Sequence, residues 1–119
     1  MSKSTKHIDS LLSLAQEHHH ARRFVKAQQI YFDILKERTD HPDVLNLLGT
    51  ALAQGGEPEK AVKYLQQAVE IRPDLVPFRV NLGVIFQDLE KFDQAEECYK
   101  QSMKIDKMSE EAYYNLGKF

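Results

Sequence analysis

The chain has no tryptophan and a single cysteine, Cys98, in 119 residues. A lone cysteine rules out an intrachain disulfide and a cysteine-pair zinc site, and it fits a reducing compartment. Charge of one sign is also missing: 16 basic side chains stand against 18 acidic ones, a net charge of -2. Without a basic stripe, nucleic acid is not an expected partner, and Arg22-Arg23 alone does not make one. Long hydrophobic runs are absent too. Leu11-Leu12-Ser13-Leu14-Ala15 is hemmed by Asp9 and Glu17 and is too short for a secretory signal or a bilayer span. There is no Gly/Ser linker, and Val and Ile never alternate in period 2, which argues against strands. These absences predict a cytoplasmic protein with no membrane insertion.

Helical periodicity fills the space they leave. Apolar residues recur at spacings of three and four almost throughout. The pattern predicts seven helices, over roughly 7–21, 24–37, 42–55, 58–71, 76–89, 92–105 and 109–119. The breaks have local causes. Gly55-Gly56 stops one helix, because glycine tolerates a left-handed cap. Pro58 fits a first helical position, where its missing N–H costs nothing. Pro73 ends the next helix by pushing the preceding residue out of helical dihedrals. Asp40-His41-Pro42 separates the first two helix pairs, and Ser109 is placed to cap the last helix, with Glu110 and Glu111 at its positive end.

The order Leu45, Leu48, Gly49, Leu52, Ala61, Leu65, Ala68, Pro73 returns about 34 residues later as Leu82, Gly83, Phe86, Ala95, Tyr99, Ser102. Self-similarity at that period means stacked helical hairpins. Gly49 and Gly83 would let the two helices of a hairpin approach closely, with Ala27, Ala61 and Ala95 facing them from the second helix. The pattern resembles the tetratricopeptide repeat. The resemblance covers nearly the whole chain as one domain, with repeats at about 8–41, 42–75 and 76–109 and a partial repeat at 110–119. The second repeat fits best. The third departs at Arg79 and Lys107, and the first keeps Leu11, Leu14, Ala15, Ala27 and Tyr31 but departs at His18, Ile34 and Thr39. The resemblance implies an all-α, right-handed alpha-alpha superhelix of about three and a half repeats. Phe119 falls one helix into the fourth repeat, and solenoids generally need a polar terminal cap. The expectation is a chain cut from a longer protein, the alternative being that residues 109–119 serve as an adequate cap; self-association through the uncapped C-terminal end is a further reading of its partners.

Chemistry is thinly represented. His18-His19-His20 is the one constellation that suggests a metal, yet consecutive helical residues point about 100° apart and cannot all ligate one ion. The plainer expectation is a polar helix end with one or two histidines packed between hairpins, and no metal or cofactor. Arg22-Arg23 suits the negative end of a helix dipole. Cys98 reads as a small, partly buried side chain, since only Lys100 stands near enough to lower its pKa. The pairs Glu96-Glu97 and Glu110-Glu111 read as solvated faces. No catalytic residues are expected, and the chain is not itself an enzyme.

The resemblance further implies that the first helix of each hairpin lines a concave groove that binds a peptide or partner domain. The corresponding positions are Asp9, Leu12, Ser13, Gln16, His19 and His20, then Asp43, Asn46, Leu47, Thr50, Ala53 and Gln54. The later repeats add Val80, Asn81, Val84, Gln87 and Asp88, then Glu111, Tyr114, Asn115 and Lys118. Asn46, Thr50, Asn81, Val84, Gln87, Tyr114 and Asn115 are the strongest candidates for ligand contact, as amides, small apolar groups and one tyrosine suited to a peptide. Of the positions that form the carboxylate clamp in chaperone-tail binders (Leu12, Gln16, Leu47, Pro77, Asn81), only Asn81 fits. Asn81 and Asn115, each within Asn-Leu-Gly, are similar to the asparagine ladder in the repeat arm of O-linked N-acetylglucosamine transferase and its bacterial relatives. Leu47 and Ser13 break that ladder. The likeness implies an adaptor or, alternatively, the substrate-recruiting arm of a larger enzyme such as a glycosyltransferase.

Overall fold

Six helices follow one another with connections of only a few residues, so each must fold back on the last. The computed structural model describes residues 3–105 and Tyr114. Its helices are α1 (Lys3–His20), α2 (Phe24–Glu37), α3 (Pro42–Gln54), α4 (Pro58–Ile71), α5 (Val76–Asp88) and α6 (Phe92–Ile105). No strand occurs among the described residues. The helices pair as hairpins α1–α2, α3–α4 and α5–α6, and each hairpin packs on the next through α2–α3 and α4–α5. The stack measures 44 × 30 × 21 Å. Its radius of gyration, 14.7 Å, exceeds the roughly 13.5 Å of a compact domain of this length, as expected when hairpins touch only their neighbours.

Five of the expected helices match within a residue at both ends, and the boundary residues explain why. Pro42 and Pro58 occupy first-turn positions of α3 and α4, where no N–H is needed. His41 adds a cap that its sequence context did not reveal: its Nδ1 accepts from the Val44 N–H at 3.4 Å. α1 begins four residues earlier than expected, because no glycine or proline interrupts residues 3–7. The seventh helix, the Ser109 cap and the Glu110-Glu111 pair lie outside the described residues, except that Tyr114 is helical.

Each hairpin turns on the same closure, repeated at intervals of 34 residues. Arg22, Gly56 and Glu90 adopt φ of 61°, 93° and 60°. In each case the N–H of that residue and of the next reach back to the preceding helix: Arg22 to His19 and Arg23 to His18, Gly56 to Ala53 and Glu57 to Leu52, Glu90 to Gln87 and Lys91 to Phe86. This is the Schellman closure, which favours glycine at its left-handed residue. Gly56 supplies it. Gly55, expected to share that role, has φ -81°; an added Cβ there would instead sit 3.0 Å from Gln28 Nε2 and 3.5 Å from Phe24 Cβ. Arg22 and Glu90 hold the left-handed shape with a full side chain, at a strain of about 1 kcal/mol each.

One continuous core runs through the stack, from Ile8 and Ala15 through Tyr31, Leu48 and Leu65 to Phe86 and Tyr99. Ala27, Ala61 and Ala95 are fully buried on the second helices. A Cβ on Gly83 would come within 2.5 Å of the Tyr99 ring, and one on Gly49 within 2.7 Å of Leu65 Cγ. The helices of these hairpins therefore approach as closely as glycine allows. Arg79, where the repeat usually places an apolar residue, is half-buried and donates from Nη2 to the Pro73 carbonyl at 3.2 Å, bracing the α4–α5 connection. Among the described residues the ion pairs are exposed and, apart from His7–Glu37 between α1 and α2 at 3.9 Å, local, such as Lys100–Glu96 at 2.7 Å and Lys60–Glu57 at 2.9 Å. Pairs of that kind contribute little to stability.

Candidate functional site

The first helices α1, α3 and α5 form one face of the stack, and two cavities open along it. One, of about 250 Å³, is lined by Thr50, Ala53, Gln54, Asn81, Val84, Ile85 and Asp88. The other, of about 390 Å³, is lined by Gln16, His19, His20, Arg22, Phe24, Leu47 and Gln54. Gln54 belongs to both, so the two form a track across three helices. Its walls mix amide, hydroxyl, imidazole and apolar surface, with Arg22 at one end and Asp88 at the other.

Thr50, Asn81 and Val84 come together in the smaller cavity, with Val84 exposed and the other two half-buried. The polar groups already have partners. Asn81 Nδ2 donates to Asn46 Oδ1 at 3.0 Å across the α3–α5 seam. The Thr50 hydroxyl donates to the Leu47 carbonyl of its own helix at 2.9 Å. Gln87 serves the hairpin rather than the groove, since its Oε1 accepts from the buried Tyr99 hydroxyl at 2.9 Å. Tyr114 is exposed and helical, and Asn115, Glu111 and Lys118 lie outside the described residues. Val80, expected on the groove, is fully buried in the core. The same repeat position holds half-buried Asn46 one hairpin earlier. It sits at the edge between groove and core, and an apolar side chain there turns inward because burial favours it.

The histidine cluster does not converge on an ion. Among the described residues no group of three His, Cys, Asp or Glu side chains could hold one. His18 Nδ1 accepts from Arg23 Nε at 2.8 Å. His19 packs between hairpins, with its ring edge-on to Phe24 and Tyr31. Its Nε2 lies 2.6 Å from Gln54 Oε1 and its Nδ1 3.0 Å from the Tyr31 hydroxyl. The Gln54 oxygen only accepts, so Nε2 carries the proton and Nδ1 accepts from the phenol. That phenol is buried, which pushes its pKa up to about 12. Hairpin 3 has the same arrangement with Gln87 in place of His19 and Tyr99 in place of Tyr31. Sequence reasoning missed these couples, although both pairs are 12 residues apart.

Cys98 is buried, and burial pushes its thiol up to about 11 against a smaller opposing pull from Arg79. A thiol of that kind stays protonated and unreactive at neutral pH. Among the described residues no helix is long and apolar enough to cross a membrane.

Comparison with known proteins follows the same period as the turns. A family model described as tetratricopeptide repeat matches residues 42–75, and a second with the same description matches 76–107, together more than half of the chain. Over 60 residues, half of this chain, the sequence is 37% identical to the Protein O-mannosyl-transferase Tmtc3 of Drosophila melanogaster. Over 59 residues, again half of the chain, it is 34% identical to the probable UDP-N-acetylglucosamine–peptide N-acetylglucosaminyltransferase SPINDLY of Oryza sativa subsp. japonica. Each match spans 6% of the relative's own length. Among solved structures, the first TPR of Spaghetti (RPAP3), bound to the HSP90 peptide SRMEEVD, superposes with a TM-score of 0.87 at 15% identity, covering 93% of this chain and 88% of that one. At that identity the likeness shows the fold.

Proposed function

Because the chain belongs to the tetratricopeptide repeat family, we propose that it is a non-catalytic docking platform for a peptide segment of a partner protein, held on the α1–α3–α5 face. The observation that carries this reading is the pair of cavities joined at Gln54 and lined by Thr50, Asn81 and Val84. Asn81 keeps its carbonyl oxygen and Gln54 its amide nitrogen for a ligand backbone, since their other groups are engaged by Asn46 and His19. One acceptor and one donor spaced along a groove suit an extended peptide. The RPAP3 structure, with its bound HSP90 peptide, supports a peptide in a fold of this shape. The near absence of the Lys/Arg/Asn clamp here argues for a different ligand end.

A photo-crosslinking amino acid placed at Val84 in the groove, and separately at Gln66 on the exposed surface of α4, tests the face directly. Covalent partner adducts from position 84 and none from position 66 are expected in the source cell. Adducts from position 66 alone would sink the reading.

A second reading is the recruiting arm of a larger transferase. It is favoured by the two relatives, which are named as transferases and match this chain over only 6% of their length. Intact mass of the endogenous protein separates the two: a value near 13.8 kDa supports a self-contained adaptor, and a much larger one the arm.

A further inference from the structure

The three turns close with the same pair of hydrogen bonds and carry an arginine, a glycine and a glutamate at the left-handed residue. Glycine suits that backbone best, so Arg22 and Glu90 hold a strained conformation. A strained residue draws interest when its side chain also has somewhere to act.

Arg22 does. It lines the cavity of about 390 Å³ at the end of the groove and, with Arg23, Phe24, Val25, Lys26 and Gly55, a neighbouring cleft of about 350 Å³. Among the described residues no acidic one lines either cavity. None of Arg22, Arg23 and Lys26 makes an ion pair among the described residues. The Arg22 guanidinium is parked 5.1 Å above the Phe24 ring centre. Stacking on an aromatic face holds its planar fork of N–H donors ready for a bidentate acceptor. Gln54, whose oxygen is engaged by His19, adds an amide donor to the same cavity. At the opposite end, Asp88 lines the smaller cavity, and strained Glu90 follows two residues later. A protein with net charge -2 thus keeps a basic corner at one end of its groove and an acidic one at the other.

We propose that the cavity beside Arg22 takes the carboxylate of an Asp or Glu side chain at one end of the bound peptide, fixing the direction in which the ligand lies. Its acidic end sits over the α1–α2 turn, and its neutral or basic end points to Asp88. This rests on the groove reading above and adds the chemistry and polarity of the ligand.

The probe is a phage-displayed library of random twelve-residue peptides selected on the full chain. The consensus peptide is then synthesised and titrated by calorimetry. Selected peptides should carry Asp or Glu at one end. Changing that residue to Asn or Gln should weaken binding about tenfold or more. Arg22→Gly should raise the melting temperature, because it relieves the turn, and should bind the acidic and amide peptides alike. Arg22→Glu should shift selection towards Lys or Arg at that end. Binders with no acidic preference, or an acidic preference that survives Arg22→Gly, would overturn the proposal. Val84→Arg reports on the groove separately. If it abolishes binding of a peptide with no acidic preference, the groove stands and the assignment to Arg22 fails. If binding survives it, the groove reading fails. A library that yields no binder overturns both.

Discussion

The middle hairpin and its two neighbours close the same packing arrangement with different chemistry. In α3–α4 the position held elsewhere by Tyr31 and Tyr99 is Leu65, the one held by His19 and Gln87 is Ala53, and the turn residue is Gly56. Every buried side chain of that hairpin is apolar. The flanking hairpins each bury a phenol that needs a partner, and each strains a charged residue at the turn. The middle hairpin therefore carries few obligations beyond packing. The outer two carry polar constraints that cost stability; of the groups proposed to read the ligand, Arg22 and Asn81 stand there and Gln54 on the middle hairpin.

The largest expected break in this comparison is at the helix crossings. Gly83→Ala should cost about 3 kcal/mol, because the new methyl meets a Tyr99 ring fixed at its hydroxyl by Gln87. Gly49→Ala should cost about 1–2 kcal/mol, since the obstacle is chiefly the aliphatic Leu65 side chain, which no hydrogen bond fixes. Urea denaturation of both variants decides it, and equal losses would erase the difference. Ala61→Leu should also lower the melting temperature clearly, by overfilling the fully buried Ala61 site; an unchanged melt would place the repeat register in doubt.

Next comes alkaline pH. The groups raised by burial, Cys98 to about 11 and Tyr31 to about 12, both sit in the outer hairpins. Below about pH 8 the thiol is protonated folded or unfolded and has no effect. As pH rises from 8 towards 11 the unfolded chain ionises first, so stability falls, by about 1–2 kcal/mol at pH 10 from Cys98 alone. Comparing urea midpoints at pH 8 and pH 10 should show the decline, with a shallower one for Cys98→Ala.

Moving the phenol tests the same contrast at similar size. Leu65→Tyr should be less costly with Ala53→Gln than without it, by about 1 kcal/mol in a double-mutant cycle. No coupling would mean that the hydroxyl partners are incidental. The smallest effects are at the turns: Glu90→Gly should stabilise by roughly 0.5–1 kcal/mol and Gly56→Ala should destabilise by a similar amount. Thermal melts of that pair should move in opposite directions.

The helices of this chain were legible because its punctuation is strong: Pro42, Pro58 and Gly56 mark ends that no tertiary contact could move far. The start of α1 was not, since a run without breakers has no local stop. The groove was legible in part. Thr50, Asn81 and Val84 face it because period alone fixes a helix face. Whether a boundary position turns in or out depends on its own polarity, and so Val80 left the groove where Asn46 stayed. The bonds from His19 to Gln54 and from Asn81 to Asn46 each join residues 35 apart. That is one repeat plus one residue, a pairing no local pattern announces. The left-handed turns at Arg22 and Glu90 were implied by Gly56 at an offset of 34, although neither residue type suggests them by itself.

Those two long-range bonds have a mechanical side. Each spans a joint between successive hairpins, one from α1 to α3 and the other from α3 to α5. A stack of this kind behaves as a short spring whose coils are stiff and whose joints are compliant. At each joint an imidazole or amide contact between first helices adds to the packing of α2 on α3 and of α4 on α5. Tension along the long axis would open the joints before the hairpins, spreading the spacing between the walls of the track. A partner that bridges two first helices would act as a clip across the coil, and the spring constant of the loaded protein would exceed that of the empty one.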